Sequence, residues 1–407
     1  MRIAMIYQGE YPPAERIEKI SKSLIDAGHE VFLLCNNYGT QRPSEERADG
    51  LVIRRIKPII RGSTLNRILK FPLFANPVWV LQILSLVYRS RIEAIHVIDL
   101  PLAAAAWAIA RAFRIPVIMD MWENYPEALK GWAKLDWKTR WFKNPAAARA
   151  LEVWLMPRLD HTLVVVDEQK ERLVADGVSP DRISVLTNAV DAEIFSRGSP
   201  DRPTPLDDEP GTYKLIYVGF ITVERGLEDI IRAVSLIRGK MPFLRFYIAG
   251  TGPYAARLEE MIVGERLADY VKLIGWISFN DIQMYLAKSD LCVIPHVNNL
   301  FINTTIPNKL FQYMFMAKPV LVSDAKPLAR IVNESSCGFV FQSGNPGDAA
   351  EAIEKAYAAR HDSTIGARGR DSVLESYTWD KVARVLGRVY KTPRDEFRTA
   401  PAQLQDQ

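Results

Sequence analysis

Two rhythms of apolar and polar positions alternate along the first 190 residues. Short runs of strand length occur at Ile3–Tyr7, Glu30–Leu34, Ala94–Ile98, Pro116–Met119, Thr162–Val166 and Ile183–Leu186. Between them apolar residues recur at helical spacing, as in Ile17, Ile20, Leu24 and Ile25, a helix that Gly28 ends. Further helices are predicted over Leu102–Phe113 and Glu168–Asp176. The rhythm stops at 191–212, where Pro200, Pro203, Pro205 and Pro210 sit among Ser, Asp and Glu, a linker composition. It restarts with strands at Lys214–Val218, Leu244–Ala249, Val271–Leu273, Leu291–Pro295 and Pro319–Ser323. Helices at Leu227–Ile237 and Tyr254–Ile262 lie among them, and a last helix spans Trp379–Tyr390. Strands that alternate with helices predict parallel sheets covered on both faces. The reading is therefore α/β: two doubly wound, Rossmann-like domains over 1–190 and 213–376, with 191–212 as the linker. The helical segment 377–392 is expected to pack back on the first domain, and 393–407 to form a polar tail. Ligands of open parallel sheets bind beyond the carboxyl ends of the strands, so the cleft between two such sheets is the expected site.

Composition narrows the class. At about 100–200 residues per domain, 407 residues fit two domains. A 48% hydrophobic and 25% charged chain is neither a disordered tail protein nor a small disulfide scaffold. Cys35, Cys292 and Cys337 are too scattered for a disulfide framework or a structural zinc site, and a reducing compartment is expected. The five histidines, His29, His96, His161, His296 and His361, form no short-spaced cluster that would hold a transition metal. The apolar start, Met1–Tyr7, is too short for a secretory leader.

Four segments carry candidate chemistry. Gly250-Thr251-Gly252 follows a strand and precedes a helix, where small residues and free N–H groups suit a phosphate; an ordinary tight turn has the same signature. Gly219 opens a second strand-to-helix loop that ends in Arg225-Gly226, and Arg225 is placed either to clamp a pyrophosphate or to pair with Glu224 or Glu228. In Thr305-Ile306-Pro307-Asn308-Lys309, Pro307 marks a helix start and Lys309 falls in the first turn. A cation there opposes the helix dipole unless an anion is near, and an exposed lysine with no role is the plainer alternative. Asp120-Met121-Trp122-Glu123-Asn124 follows a strand directly, with carboxylates able to act as a general base or to bind hydroxyls, or with Asp120 or Asn124 capping a helix.

At these residues the chain resembles the nucleotide-sugar glycosyltransferases of family 4, of GT-B architecture, and among them bacterial surface-polysaccharide glycosyltransferases. The resemblance runs over roughly 1–390. It includes Gly28-His29-Glu30-Val31, the 120–127 segment, Leu186-Thr187-Asn188-Ala189-Val190-Asp191, Ala249-Gly250-Thr251-Gly252, Thr305 through Met314 and Lys318-Pro319-Val320. It implies transfer of a sugar from a UDP- or GDP-sugar, metal-independent and retaining, with no cofactor beyond that co-substrate. The acceptor would be a saccharide, lipid-linked, in surface polysaccharide synthesis. By this resemblance Asp120, Glu123, Arg225 and Lys309 are the catalytic candidates. Gly219, Gly250, Thr251, Gly252, Thr305, Asn308 and Gln312 fall to the donor, and Glu10, Arg16, Trp122 and Asn124 to the acceptor side. Four positions depart from the family pattern: Phe220 stands for an arginine, Thr304 and Gln312 for a pair of glutamates, and Trp122 for a histidine. Arg225 keeps the charge of the usual lysine. A 2-epimerase acting on the donor alone, or a non-catalytic sugar-nucleotide-binding subunit, would share the fold.

The net charge of +4 hides a segregation. Residues 51–92 hold eight basic side chains and no acidic one, and 130–143 interleaves Trp132, Trp137 and Trp141 with Lys and Arg. Neither segment supplies the roughly 20 continuous apolar residues of a bilayer span. Both suit an anionic membrane surface, so the expected place is the cytoplasmic face of the plasma membrane, peripherally bound. Tryptophans packed in the core are the plainer alternative. A nucleic-acid partner is not expected, since the overall charge is modest.

Overall fold

A computed structural model describes residues 1–12, 14–37, 42–56, 76–135, 144–196 and 202–391, with the backbone alone at 131–135 and 194. Residues 57–75 of the basic segment, 136–143 of the tryptophan segment, 197–201 of the expected linker and the tail from 393 lie outside the described residues. The chain divides into two units, Met1–Leu186 with Ala383–Gln407, and Thr187–Val382.

The first unit is built on eight strands: β1 (Arg2–Glu10), β2 (Glu30–Asn36), β3 (Glu45–Ala48), β4 (Leu51–Arg55), β5 (Ala94–Ile98), β6 (Val117–Met121), β7 (His161–Val164) and β8 (Ile183–Val185). Their order is β3-β4-β2-β1-β5-β6-β7-β8, parallel except for β3. Strand β1 lies inside the sheet, with Ile3 in register with Val31 on one side and Ala94 on the other. Ile3 to Ile6 are all fully buried, as a parallel strand with both faces covered requires. The helix Glu15–Asp26 turns Ile17, Ile20 and Leu24 to the core.

Strands β3 and β4 are absent from the pattern reading. They form a hairpin closed by Asp49-Gly50, both at positive φ, the conformation a two-residue turn needs. Its edge strand is mostly exposed and charged, so no apolar alternation marks it. The helix Pro77–Arg89 is a second addition. Asn76 caps it through its side-chain oxygen, which accepts from the Val78 N–H at 2.9 Å, and Pro77 sits in the first turn. Asn76 and Pro77, which interrupt the uncharged run in the sequence, are thus the start signal of a helix. Trp79, Ile83, Leu86 and Val87 enter the core, and Leu81, Leu84 and Tyr88 stay outside. Among the described residues no helix is long and apolar enough to cross a membrane.

The second unit has a six-stranded parallel sheet, in the order β11-β10-β9-β12-β13-β14. The strands are β9 (Tyr213–Val218), β10 (Leu244–Ala249), β11 (Val271–Gly275), β12 (Leu291–Ile294), β13 (Val320–Ser323) and β14 (Gly338–Phe341). Its own core gathers Leu215, Tyr217, Ile230, Phe246, Ile248, Val293 and Phe341. The stretch read as a linker belongs to this unit. Phe195, on the short helix Ala192–Ser196, packs edge-on against Phe279 and Phe315. Arg202 pairs with Asp281 at 2.7 Å, and Lys288 bonds both the Arg202 carbonyl and Asp207. Proline content marks an irregular path here, and side chains fasten it. The expected last helix is two: Trp379–Val382 ends the second unit, and Arg384–Lys391 returns to the first.

Candidate active site

Strand order brings the ends of β9, β10 and β12 together in the second unit. The loop after β9 is stitched to the loop after β10: the Gly219 N–H donates to the Ala249 carbonyl and the Ile221 N–H to the Thr251 carbonyl. A β-carbon on Gly250 would stand 1.9 Å from the Gly219 carbonyl oxygen, so only glycine fits. Gly252 backs in the same way onto the Ile221 carbonyl. The close approach these two glycines serve is therefore between two loops of the protein itself, a reason for the motif that does not require a ligand.

The glycine that meets Lys309 is Gly219. At φ +142°, it leaves space that a β-carbon would close to 2.5 Å from the Lys309 Nζ. Lys309 is the second residue of the helix Asn308–Phe315, and its ammonium lies 3.8 Å from the centre of the Tyr217 ring. Tyr313, one turn further on, accepts from the Val218 N–H at 2.8 Å through its hydroxyl and so locks the helix to the end of β9. Arg225 approaches from the turn Val223–Arg225, with its Nη1 3.4 Å from the Nε2 of buried His296. Among the described residues neither Arg225 nor Lys309 pairs with a carboxylate, so the surface alternatives with Glu224 and Glu228 do not occur. Burial and the neighbouring Arg225 hold the Lys309 ammonium well below the ordinary lysine value. Thr305 precedes that helix, Asn308 opens it, and Gln312 is buried on it. Thr304 spends its hydroxyl on the Leu300 and Phe301 carbonyls.

In the first unit the ends of β1, β5 and β6 hold a second cluster. Asp120 is fully buried at the end of β6. The Arg16 guanidinium donates to both its oxygens, at 3.1 and 2.7 Å, and also to the Leu186 carbonyl. The Trp122 indole donates to Asp120 at 2.6 Å, and the His96 Nε2 lies 3.7 Å away. Burial alone would raise the Asp120 carboxyl; Arg16 and His96 outweigh it and hold Asp120 well below the usual carboxylate range. Asp120 is thus the ionised anchor of Arg16 and Trp122. Asn124 does cap the next helix, its side-chain oxygen lying 3.4 Å from the Glu127 N–H. Glu10 ends β1, and Glu123 is less buried than Asp120.

Four residues here were not singled out from the sequence. Asp99 accepts from the Trp122 N–H at 2.9 Å and is held at φ +58°. Burial, with Glu123 nearby, pushes its carboxyl well above the ordinary value. Tyr7 packs on Trp122 with ring centres 5.7 Å apart. His96 bonds through Nδ1 to the Tyr390 hydroxyl at 2.7 Å, which fastens the returning helix Arg384–Lys391 to this cluster. A strand buried on both faces gives no signal that its one histidine takes part in a site, and the Tyr390 contact spans 294 positions.

Residues 13–189 match the family model described as a glycosyl transferase 4-like domain, and residues 212–359 match the one described as glycosyl transferases group 1. An uncharacterized glycosyltransferase of Methanocaldococcus jannaschii is 22% identical over 404 residues, covering 96% of this chain and 98% of its own. The phosphatidylinositol N-acetylglucosaminyltransferase GPI3 subunit of Saccharomyces cerevisiae is 23% identical over 297 residues, 71% of this chain and 61% of that subunit. Among solved structures, sucrose-phosphate synthase of Thermosynechococcus elongatus superposes with a TM-score of 0.76 at 16% identity, covering 96% of this chain and 98% of its own. Anabaena HepE in complex with UDP gives 0.71 at 13% identity, covering 97% and 100%.

Proposed function

Because the chain belongs to the glycosyltransferases of GT-B architecture, with a 4-like domain followed by a group 1 domain, we propose that it moves a sugar from a nucleoside-diphosphate sugar to a saccharide acceptor in glycan synthesis. One observation carries the donor side. Lys309 lies against Gly219 and within electrostatic reach of Arg225, and among the described residues no carboxylate pairs with either. Two unpaired cations at the carboxyl ends of parallel strands are stabilised by a dianionic ligand, and a diphosphate supplies that charge. When the bond between the anomeric carbon and the diphosphate oxygen breaks, negative charge grows on that oxygen. Arg225 and Lys309, already in place, stabilise it without reorganisation. This needs no bound metal, and the UDP held by the HepE neighbour is the kind of group the two cations suit.

The acceptor we place on the first unit, at the 122–124 loop. Asp120 and Asp99 fix Trp122 there, and its ring with Tyr7 offers an aromatic platform to a sugar face. Glu123 is our candidate to receive the acceptor hydroxyl, and retention of configuration is the expected outcome. A lipid-linked acceptor at the cytoplasmic membrane surface accords with the acid-free basic segment 51–92 and with the lipid named in the GPI3 relative.

The test is a thermal-shift panel with UDP, GDP, dTDP and CMP. A ligand at about 100 times its dissociation constant stabilises the folded state by about 2.7 kcal/mol. A shift with one diphosphate that is lost in the Lys309→Ala protein supports the reading and identifies the base. No shift with any of the four counts against it.

A further inference from the structure

We propose that His296 is the positioning residue that aims Arg225 at the donor diphosphate, its Nε2 accepting from the guanidinium Nη1. This rests on the donor site proposed above. His296 follows β12, and its loop is fixed independently of any ligand. The Ser323 hydroxyl donates to the His296 carbonyl, and the Val297 N–H donates to the Glu224 carbonyl at 3.0 Å. Gly226 lies so close to the Pro295 carbonyl that a β-carbon would come within 1.9 Å of it. The β12 loop therefore grips the Arg225 turn on both sides of the arginine.

The guanidinium needs such a guide. Among the described residues Arg225 makes no ion pair, its Nε is buried without a hydrogen-bond partner, and His296 at 3.4 Å is its side-chain acceptor. A carboxylate in this place would hold the arginine more tightly, but it would cancel the positive charge that a diphosphate requires. An imidazole accepts only when neutral, so it orients the cation and leaves its charge intact. Burial, then Arg225 and Lys309, hold His296 well below the ordinary histidine value, which keeps it in the accepting form. Its position also explains why a histidine can be fully buried beside two cations: it is a neutral acceptor and not a third charge.

The experiment is a double-mutant cycle read by calorimetric binding of UDP, GDP and dTDP, with each nucleoside as a control. His296→Leu removes the acceptor at similar bulk, His296→Gln restores one, and Arg225→Ala removes the partner. We expect His296→Leu to weaken the diphosphate about tenfold with nucleoside binding unchanged, and His296→Gln to recover most of the loss. In the Arg225→Ala background His296→Leu should add less than a twofold change. Losses that add in full, or a His296→Leu protein that binds like the wild type, overturn the inference while leaving the donor site standing. An Arg225→Ala protein that binds the diphosphate normally overturns the donor site and the inference with it. The urea midpoint checks folding, and if His296→Leu does not fold, His296→Asn, whose shorter amide stops short of Nη1, takes its place with the same expectations.

Discussion

Lys309 and Asp120 are two buried or partly buried ions with opposite fates. Asp120 has Arg16, and the pair is closed off from water. Breaking such a pair from one side leaves the other charge stranded, so Asp120→Asn should destabilise the first unit by about 3–5 kcal/mol. Urea unfolding followed by tryptophan fluorescence reads this directly, since seven of the nine tryptophans precede residue 160. The carboxyl is depressed in the folded state. Its stabilisation is therefore present above the unfolded value of 3.8 and is lost only as pH falls below that, towards the folded value. Lys309 behaves oppositely. Its folded value lies below the unfolded 10.5, so the unfolded chain binds more protons between those two values. Stability rises with pH across that window and is lowest where the ammonium is fully charged in both states. Compared with Lys309→Met, the ligand-free wild type should gain stability as pH rises towards 10.5, as calorimetry at a series of pH values would show. A flat difference would mean that Lys309 is already neutralised by a group other than a ligand. In turnover, Lys309→Ala should cost about 100- to 1,000-fold in kcat, the usual range for one preorganised group at a developing charge.

Elements differ in how much of themselves they declare in the sequence. Strands β1, β5, β6, β9, β10, β12 and β13 are buried on both faces and stand out as apolar runs. Strand β3 does not, because an exposed edge has no inner face to mark it, although Asp49-Gly50 is a hairpin signal in its own right. The helix Pro77–Arg89 is hidden in the sequence because its cap and first residue, Asn76 and Pro77, break the uncharged stretch it emerges from. In the second unit the cationic pair was legible, since Lys309 and Arg225 each follow a strand at a helical start. Their neighbour His296 was not, because burial between two loops is a property of topology and has no local signal. The same holds for Tyr390, whose helix returns from the end of the chain to His96. Tyr390→Phe leaves a buried ring nitrogen without its partner, which costs about 1–3 kcal/mol. Denaturation of this variant should show that loss in the tryptophan signal, and a variant as stable as the wild type would mean that the returning helix is held by its apolar residues Leu386 and Val389 alone.

On the scale of the whole molecule, a net charge of +4 is small, and what matters is where the charge lies. Acid-free sequence from 51 to 92 ends in the helix Pro77–Arg89, whose inner face is committed to the core by Trp79, Ile83, Leu86 and Val87. Trp79 follows the plainer alternative and packs in the core. The outer face carries Leu81 (63% exposed), Leu84 (39%) and Tyr88 (74%) at helical spacing, with Arg89 and Arg91 just beyond. An apolar stripe flanked by arginines inserts shallowly at a headgroup boundary and adds electrostatic attraction to anionic lipid. Two leucines and a tyrosine bury only a few kcal/mol of apolar area at about 25 cal/mol per Å², so the attachment should be reversible and salt-sensitive. We therefore expect co-sedimentation with vesicles of anionic lipid at low salt, weakened several-fold at 0.5 M salt and absent with neutral vesicles. Replacing Leu81, Leu84 and Tyr88 together by serine should abolish it while leaving the nucleotide-induced melting shift intact, because the three belong to the first unit and the donor loops to the second. If the triple variant sediments like the wild type, this helix is not the contact, and the basic residues of the segment account for any binding by charge alone.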